Sequence, residues 1–386
     1  MLSVGALALV VSTVGSLRGF SEFLFDRWLR FSAPVALHDI VVVAINSDDW
    51  TTTFKGSPLD PKALADLVTA IAKGGPRAIA VDIDTSDHKF EPLGKCLSSR
   101  TPRNCPDPEF QTLSKHPFDG TPVVWGATAE ETGRDQFRFF PVLGGASSQH
   151  LGVAVLPRDG DGVIRGYWRE VTTQIGDEPT LGFAAACLSN LGSPCITGDP
   201  APRLLSFSRR LPHWQYFFDT YSARDILKAA KDPTWPKNSL FHDKIVLVGG
   251  VYDEHERYWT PLGRMWGVEV IGQVIETELG SPLGNPLGGP RRPSEFVEFI
   301  ASTVLGALLI VVYSSKRLTF GWALGASAVV IVCAPPVLSF LCWHNLASWS
   351  SLVPIPLAVL LEENLYELHS KIIGESPDAP PPTTPS

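Results

Sequence analysis

Acidic residues in this chain gather where chemistry is commonly done. "AIAVDIDTSD" (78–87) sets Asp82 and Asp84 two residues apart after an apolar, β-branched run. "AINSDDW" (44–50) sets Asp48 and Asp49 after another such run, and "VGGVYDEHERYWTP" (248–261) leads a third into Asp253, His255 and Thr260. Carboxylates beyond the ends of buried strands can ligate a divalent metal, hold a cationic ligand or move a proton. Their structural use is to cap the following helix and bond loop backbone. A further acidic stretch, "LPRDGDGVIRGYW" (156–168), can be tested as a calcium loop. With Asp159 at its first position the twelfth is Glu170, but Val163 and Ile164 fall where an oxygen ligand and a glycine are required. The flanks read as strands, so Asp161 and Gly162 read as a hairpin turn and Arg165 as the start of the return strand.

The elements that would carry these acids are α/β. "IVVVAI" (40–45), "AIAVDI" (78–83), "PVVWGAT" (122–128) and "KIVLVGG" (244–250) are short, continuous apolar runs, as expected of strands covered on both faces. Between the first two lies "LDPKALADLVTAIAKGG", with Asp60 as N-cap, Pro61 at the first helical position and Gly74 to close the end. Leu64, Leu67, Val68 and Ile71 repeat at helical spacing on one face. "GFAAACLSNLG" (182–192) and "GVEVIGQVIETELG" (267–280) read as further helices. The expectation is an open, mainly parallel sheet with helices on both faces, plus antiparallel pieces around 151–175. Ligands of such sheets bind beyond the carboxyl ends of the strands, which makes Asp48, Asp82, Asp84, Asp253, His255 and Thr260 the candidate ligand-binding residues. Asp82 and the Asp253–Pro261 loop would form the rim.

Composition points to a membrane. The chain is 44% hydrophobic and only 19% charged, and four apolar runs (2–17, 296–313, 318–341 and 346–361) account for that balance. A span needs about 20 apolar residues, and prolines such as Pro354 and Pro356 are tolerated where neighbouring helices satisfy the backbone. The first run lacks a basic amino-terminal region and a small-residue cleavage site, so it reads as a retained anchor rather than a signal peptide. The expected layout is an anchor over 1–20, a polar domain over 21–290, three spans over 294–365 and a disordered tail over 366–386. Lys316 and Arg317 place their short loop in the cytoplasm and the large domain outside, although Arg18, Arg27, Arg30, Arg291 and Arg292 pull the other way. Cysteine spacing supports export. Cys96 with Cys105 and Cys187 with Cys195 suit two local disulfides, and neither pair has the C-x₂₋₄-C spacing of zinc ligands. Cys333 and Cys342 fall in or beside a span and read as packing residues. Net charge is −8 with no basic cluster, which argues against a nucleic-acid partner. Dinucleotide, P-loop, nucleophile-elbow and H-E-x-x-H motifs are all missing, so no cofactor is implied.

These residues carry two resemblances. "AIAVDIDTSD" resembles the hhhhDxDxT/V signature of haloacid-dehalogenase-like phosphatases, which would make Asp82 a nucleophile and Asp84 a general acid beside Mg²⁺. Ser86 stands where that signature has Thr or Val, and no later strand ends in the paired acids that would complete the metal site. The ordered set "FLFDRWLRF", "IVVVAINSDDW", "GGPRAIAVDIDTS", "DGDGVIRGYW", "EPTLGFAAAC" and "KIVLVGGVYDEHERYWTPLGRMWGVEV", together with the span pattern, resembles the extracytoplasmic sensory domain of CHASE type two. That resemblance covers residues 1 to about 365. It implies a non-enzymatic sensor of a small-molecule or envelope signal, embedded in membrane lipid, with its large domain facing the periplasm or exterior. Asn46 stands where relatives carry Asp, and Ile271-Gly272 where they carry His-Ala, so recognition is expected to differ if those positions touch a ligand. Residues 362–386 are too few to fold alone, so output is expected through a separate cytoplasmic or membrane effector, by helix displacement or changed self-association as a homodimer, or else the chain is a receptor part whose effector is lost.

Overall fold

The first strand, β1 (Ile40–Ile45), is buried along its whole length, and its side chains divide between two cores. Val41, Val43 and Ile45 pack in one, while Ile40, Val42 and Ala44 pack in the other. A strand covered on both faces must lie inside a sandwich of helices, and this requirement organises the chain. The computed structural model describes residues 26, 40–55, 59–84, 120–133, 136–139, 150–173, 176–189, 202–207, 216–236 and 240–279.

The strands continue as β2 (Ala78–Asp82), β3 (Val123–Ala127), β4 (Ala129–Gly133), β5 (Gln136–Phe139), β6 (Leu151–Val153), β7 (Gly166–Tyr167), β8 (Glu170–Thr173) and β9 (Gly176–Pro179). They end with β10 (Arg203–Leu204), β11 (Asp219–Ser222), β12 (Ile245–Gly250), β13 (Arg257–Thr260) and β14 (Gly263–Trp266). The helices are α1 (Pro61–Ala72), α2 (Leu181–Ser189), α3 (Ala223–Ala229) and α4 (Gly267–Leu279). Six strands form an all-parallel sheet in the order β11-β1-β12-β2-β3-β6. β12 is last of the six in sequence, yet it inserts between β1 and β2, pairing Gly249 with Asp82. α1 and α3 share the core on one face, and α2 and α4 that on the other. Small sheets β4-β5-β8-β9, β7-β10 and β13-β14 complete the fold.

The apolar runs read from sequence fall on β1, β2, β3 and β12 to within a residue or two. α1 starts as expected, with Pro61 first and Asp60 accepting from the Lys62 amide, and Leu64, Leu67, Val68 and Ile71 are all sealed. Two local readings are corrected. Gly75, with φ of 68°, takes the left-handed turn after α1, whereas Gly74 is small because Phe241 packs where its Cβ would stand. The "LPRDGDGVIRGYW" turn does not join two paired strands. Its loop closes through the Asp159 amide to the Val163 carbonyl, but β6 runs parallel to β3 while β7 pairs with β10. The flanking strands were claimed by different sheets, which a local pattern cannot register.

Among the described residues no helix is long and apolar enough to cross a membrane, and the four apolar runs lie outside those residues. So do Cys96, Cys105 and Cys195. The chain divides into two compact units, one of Leu29–Gly289 and one of Met1–Trp28 with Pro290–Ser386.

The tightest approach in the sheet is β6 against α2. A Cβ on Gly152 would stand 2.4 Å from the Leu181 Cα and 2.9 Å from its amide nitrogen, and backbone cannot yield as a side chain can. Gly152→Ala is therefore expected to destabilise the domain by about 1–3 kcal/mol or more. Gly160→Ala, with nothing within 4 Å of the added carbon, should lie within about 0.5 kcal/mol of wild type. Urea denaturation of the two variants checks this.

Candidate functional site

All six strands of the parallel sheet point the same way, so their carboxyl ends share one edge. Asp82 ends β2 at this edge. Its neighbour across the ladder on one side is Gly249, and Gly126 of β3 lies against it on the other, where a Cβ would come within 3.4 Å of the Asp82 Cα. The two glycines leave the Asp82 carboxyl without side-chain walls at strand level. The walls come from the segment after β12. The Tyr252 ring folds back over Gly250 and stacks on Trp50, with ring centroids 4.4 Å apart. The Tyr258 ring and the Glu256 carboxylate both reach Gly267, the first residue of α4, where a Cβ would meet them at 3.0 and 3.5 Å. A carboxylate at that position also benefits from the partial positive charge of the helix N-terminus.

The electrostatics of this edge are one-sided. Burial pushes the Asp82 carboxyl up to about 7 from its ordinary 3.8, and the negative charge of Glu256 pushes it the same way. Burial likewise drives the Tyr252 phenol up to about 12, with Glu256, Asp82 and Asp253 adding to the effect. The Tyr258 phenol is raised by burial, Glu256 and Asp82, and pulled back by Arg158, whose guanidinium lies 5.0 Å from the ring centroid. Asp82 and Glu256 thus act on both phenols, and Asp253 acts on Tyr252. Asp82 as a whole residue keeps part of its surface exposed.

The sequence-named residues separate into two groups. Asp82 and Asp253 come together at Tyr252. Asp48 goes elsewhere: it accepts from Arg224 at 3.0 Å on the surface. Asp49 beside it is fully buried, accepting from the Ser222 hydroxyl at 3.0 Å with the Arg224 guanidinium 3.2 Å away. Thr260 spends its hydroxyl on the Gly263 carbonyl at 2.7 Å, within the hairpin of β13 and β14. His255 lies in the short helical turn Glu254–Glu256, and Asp84 two residues beyond Asp82. Among the described residues no three His, Cys, Asp or Glu side chains converge as metal ligands would. Asn46 uses its side-chain oxygen to accept from the Asp49 amide at 2.8 Å, a cap that Asp would provide equally well. Ile271 and Gly272 are buried in the core, with the Phe218 ring filling the place of a Gly272 Cβ.

Asp161, Gly162 and Arg165 form a closed turn. Gly162 has φ of 81°, the Asp161 carboxylate accepts from the Val163 amide, and the buried Arg165 donates to Asp161 at 3.0 and 2.8 Å and to Asp159 at 3.1 Å. Hydrogen bonding by Arg165 holds Asp161 below the usual carboxylate range. Cys187 on α2 is disulfide-bonded, with its partner outside the described residues.

Trp50, Tyr252, Glu256 and Tyr258 were not singled out from sequence. Glu256 and Tyr258 do lie inside the Asp253–Pro261 stretch, but a search for ligand-type residues passes over aromatic rings. Nothing local distinguishes a tyrosine that faces a carboxyl from one that packs in the core.

The family model described as CHASE2 domain matches residues 3–312. No curated protein and no solved structure matches the chain.

The elevated Asp82 carboxyl makes a prediction with a definite sign. A carboxyl whose folded pKa lies above its unfolded value binds its proton more tightly when folded, so stability falls as pH rises from about 3.8 to about 7. Above that window the ionised form costs up to roughly 4 kcal/mol, an upper bound because the residue is half-buried. Asp82→Asn should therefore melt above wild type at pH 8, and the gap should close as pH falls towards 4. Thermal melts of both proteins across that range check it; a gap independent of pH would refute the assignment.

Proposed function

The chain belongs to the CHASE2 domain family, a family of sensory domains, and from that premise we propose that it is a membrane-anchored sensor whose signal site is the sheet edge around Asp82. One arrangement carries the site: a carboxyl that burial pushes upward, which works against stability, set between two glycines and within electrostatic reach of two tyrosines and a second carboxylate. Such costs concentrate where a protein needs the group for binding rather than folding. The lining is rich in carboxyl groups and aromatic rings, with Arg158 set against Tyr258 at one side, so it suits a ligand that presents positive charge. An ammonium group there would ionise Asp82 and release a proton near neutral pH.

Export of the domain is supported by the disulfide at Cys187, for which Cys195 is the partner we assign, and by the sensory family's extracytoplasmic setting. The apolar runs at 2–17, 296–313, 318–341 and 346–361 would anchor it, with the large domain outside. Output passes to a separate effector. A ligand shifts this equilibrium only by its differential affinity for two states of the domain.

The purified full chain in detergent, titrated with ethylammonium and with tetramethylammonium, tests the site. At a hundredfold excess over its dissociation constant, a bound amine should raise the melting temperature by roughly 5 °C or more. Asp82→Asn should lose that rise, and an equal response in both proteins would remove Asp82 from the site. A parallel assay with Mg²⁺ and p-nitrophenyl phosphate separates the enzymatic alternative on Asp82 and Asp84. Turnover abolished by Asp82→Asn would favour that alternative over the sensor.

A further inference from the structure

The two ends of α4 are held by one stretch of chain. At its start, the Trp266 amide donates to the buried Glu269 carboxylate at 3.0 Å, and the Phe217 amide donates to the other oxygen at 2.7 Å. Val268 packs on Gly249 beside Asp82, and Gly267 touches Tyr258 and Glu256. Immediately before α4, the hairpin of β13 and β14 is joined to the segment that comes after the Asp159–Gly162 turn. The Ile164 amide donates to the Trp259 carbonyl at 2.8 Å, and Val163 bridges to Trp259. That segment then runs on through β7 to Arg169, which reaches the far end of α4. There Arg169 donates to both oxygens of Glu278 at 2.8 and 2.7 Å, and the Tyr167 hydroxyl donates to the same carboxylate.

This far contact is not a routine helix end. The last turn of α4 carries Glu276 and Glu278 and no basic residue, so its own charges oppose the helix dipole. Arg169 and Glu278 are 5% and 6% exposed, and a buried carboxylate at a helix C-terminus is tolerable only while its cation is in place. The order of the last turn is thus conditional on a residue from another element. Beyond it, residues 280–289 link α4 along the chain to the second unit, which resumes at Pro290.

We propose that the Arg169–Glu278 pair is a latch through which the state of the β13–β14 hairpin, whose Tyr258 lies within electrostatic reach of Asp82, sets the order of the last turn of α4. The inference rests on the sensor reading for the identity of its input, but the coupling itself needs no ligand. A ligand drawing Tyr258 and Glu256 towards Asp82 would move Trp259, with it the 163–169 segment, and with that the grip on Glu278. Breaking the pair frays the helix end.

Hydrogen–deuterium exchange of the full chain in lipid nanodiscs tests this, because coupling between two sites is reciprocal. Glu278→Gln keeps the side-chain shape but removes the charge. It should raise exchange in residues 275–279 at least about tenfold and should also raise exchange in the 257–266 hairpin. From the other end, Asp82→Asn should change exchange at 275–279 in the wild-type background and leave it unchanged in the Glu278→Gln background. Arg169→Lys, which keeps the charge but loses the two-pronged contact, should give an intermediate effect and guards against a variant that fails to fold. Fraying confined to 275–279 with a silent hairpin, or an Asp82→Asn effect that persists without Glu278, would make the pair a structural bond only and overturn the latch. No amine response in the wild-type protein, or an equal response in Asp82→Asn, would refute the ligand site, yet leave this coupling standing or falling on its own.

Discussion

The structure depends on one constraint: β1, β12 and β2 run parallel in adjacent register and are buried on both faces. Parallel neighbours cannot be joined by tight turns, so each must be followed by a crossover, and the crossovers supply the helices that cover the sheet. The same geometry sends every carboxyl end to one edge. Asp82, the loop after β1 and the segment after β12 are neighbours for that reason and for no local one. Ser47 even donates its hydroxyl to the Tyr252 carbonyl, 205 residues away along the chain.

Buried charge is used in two opposed ways in this fold. Asp49 with Arg224 and Glu278 with Arg169 each set a buried carboxylate against a guanidinium. Paired in this way, a buried carboxylate keeps its charge without a large penalty. Asp82 is treated differently. Its resolved electrostatic influence is another negative charge, Glu256, and its environment favours the neutral acid near pH 7. A fold selected for stability alone would have placed a neutral or apolar residue at the end of β2. The retained carboxyl sits where a parallel sheet presents its ligands, in a chain of the CHASE2 sensory family.

α4 joins these two uses. Its first residues touch the walls around Asp82, its middle is buried in the core against α2 and β12, and its last turn hangs on an arginine from another element. A helix packed this closely moves as a body or changes at its ends, since close-packed interiors do not deform continuously.

Much of the fold was legible in the residues themselves. β1, β2, β3, β12, α1, α2 and α4 could be read because continuous apolar β-branched runs, helical spacing and an Asp-Pro start are properties of short windows. Burial in a core confirms such windows rather than overriding them. The stretch 253–261 could be named as a candidate rim for the same reason, as the loop that succeeds a buried strand. Tertiary structure decided what no window contains. It inserted β12 between strands 33 residues apart in sequence (Ile45 to Ala78), sent the flanks of the Asp-Gly turn to different sheets, and spent Thr260 and Asp48 on structural bonds. It also brought Glu256, Tyr252 and Tyr258 within electrostatic reach of Asp82. Local propensity and hydrophobicity are written residue by residue, but the protonation of a carboxyl depends on which charges and rings stand around it in space, and only the crossovers determine that.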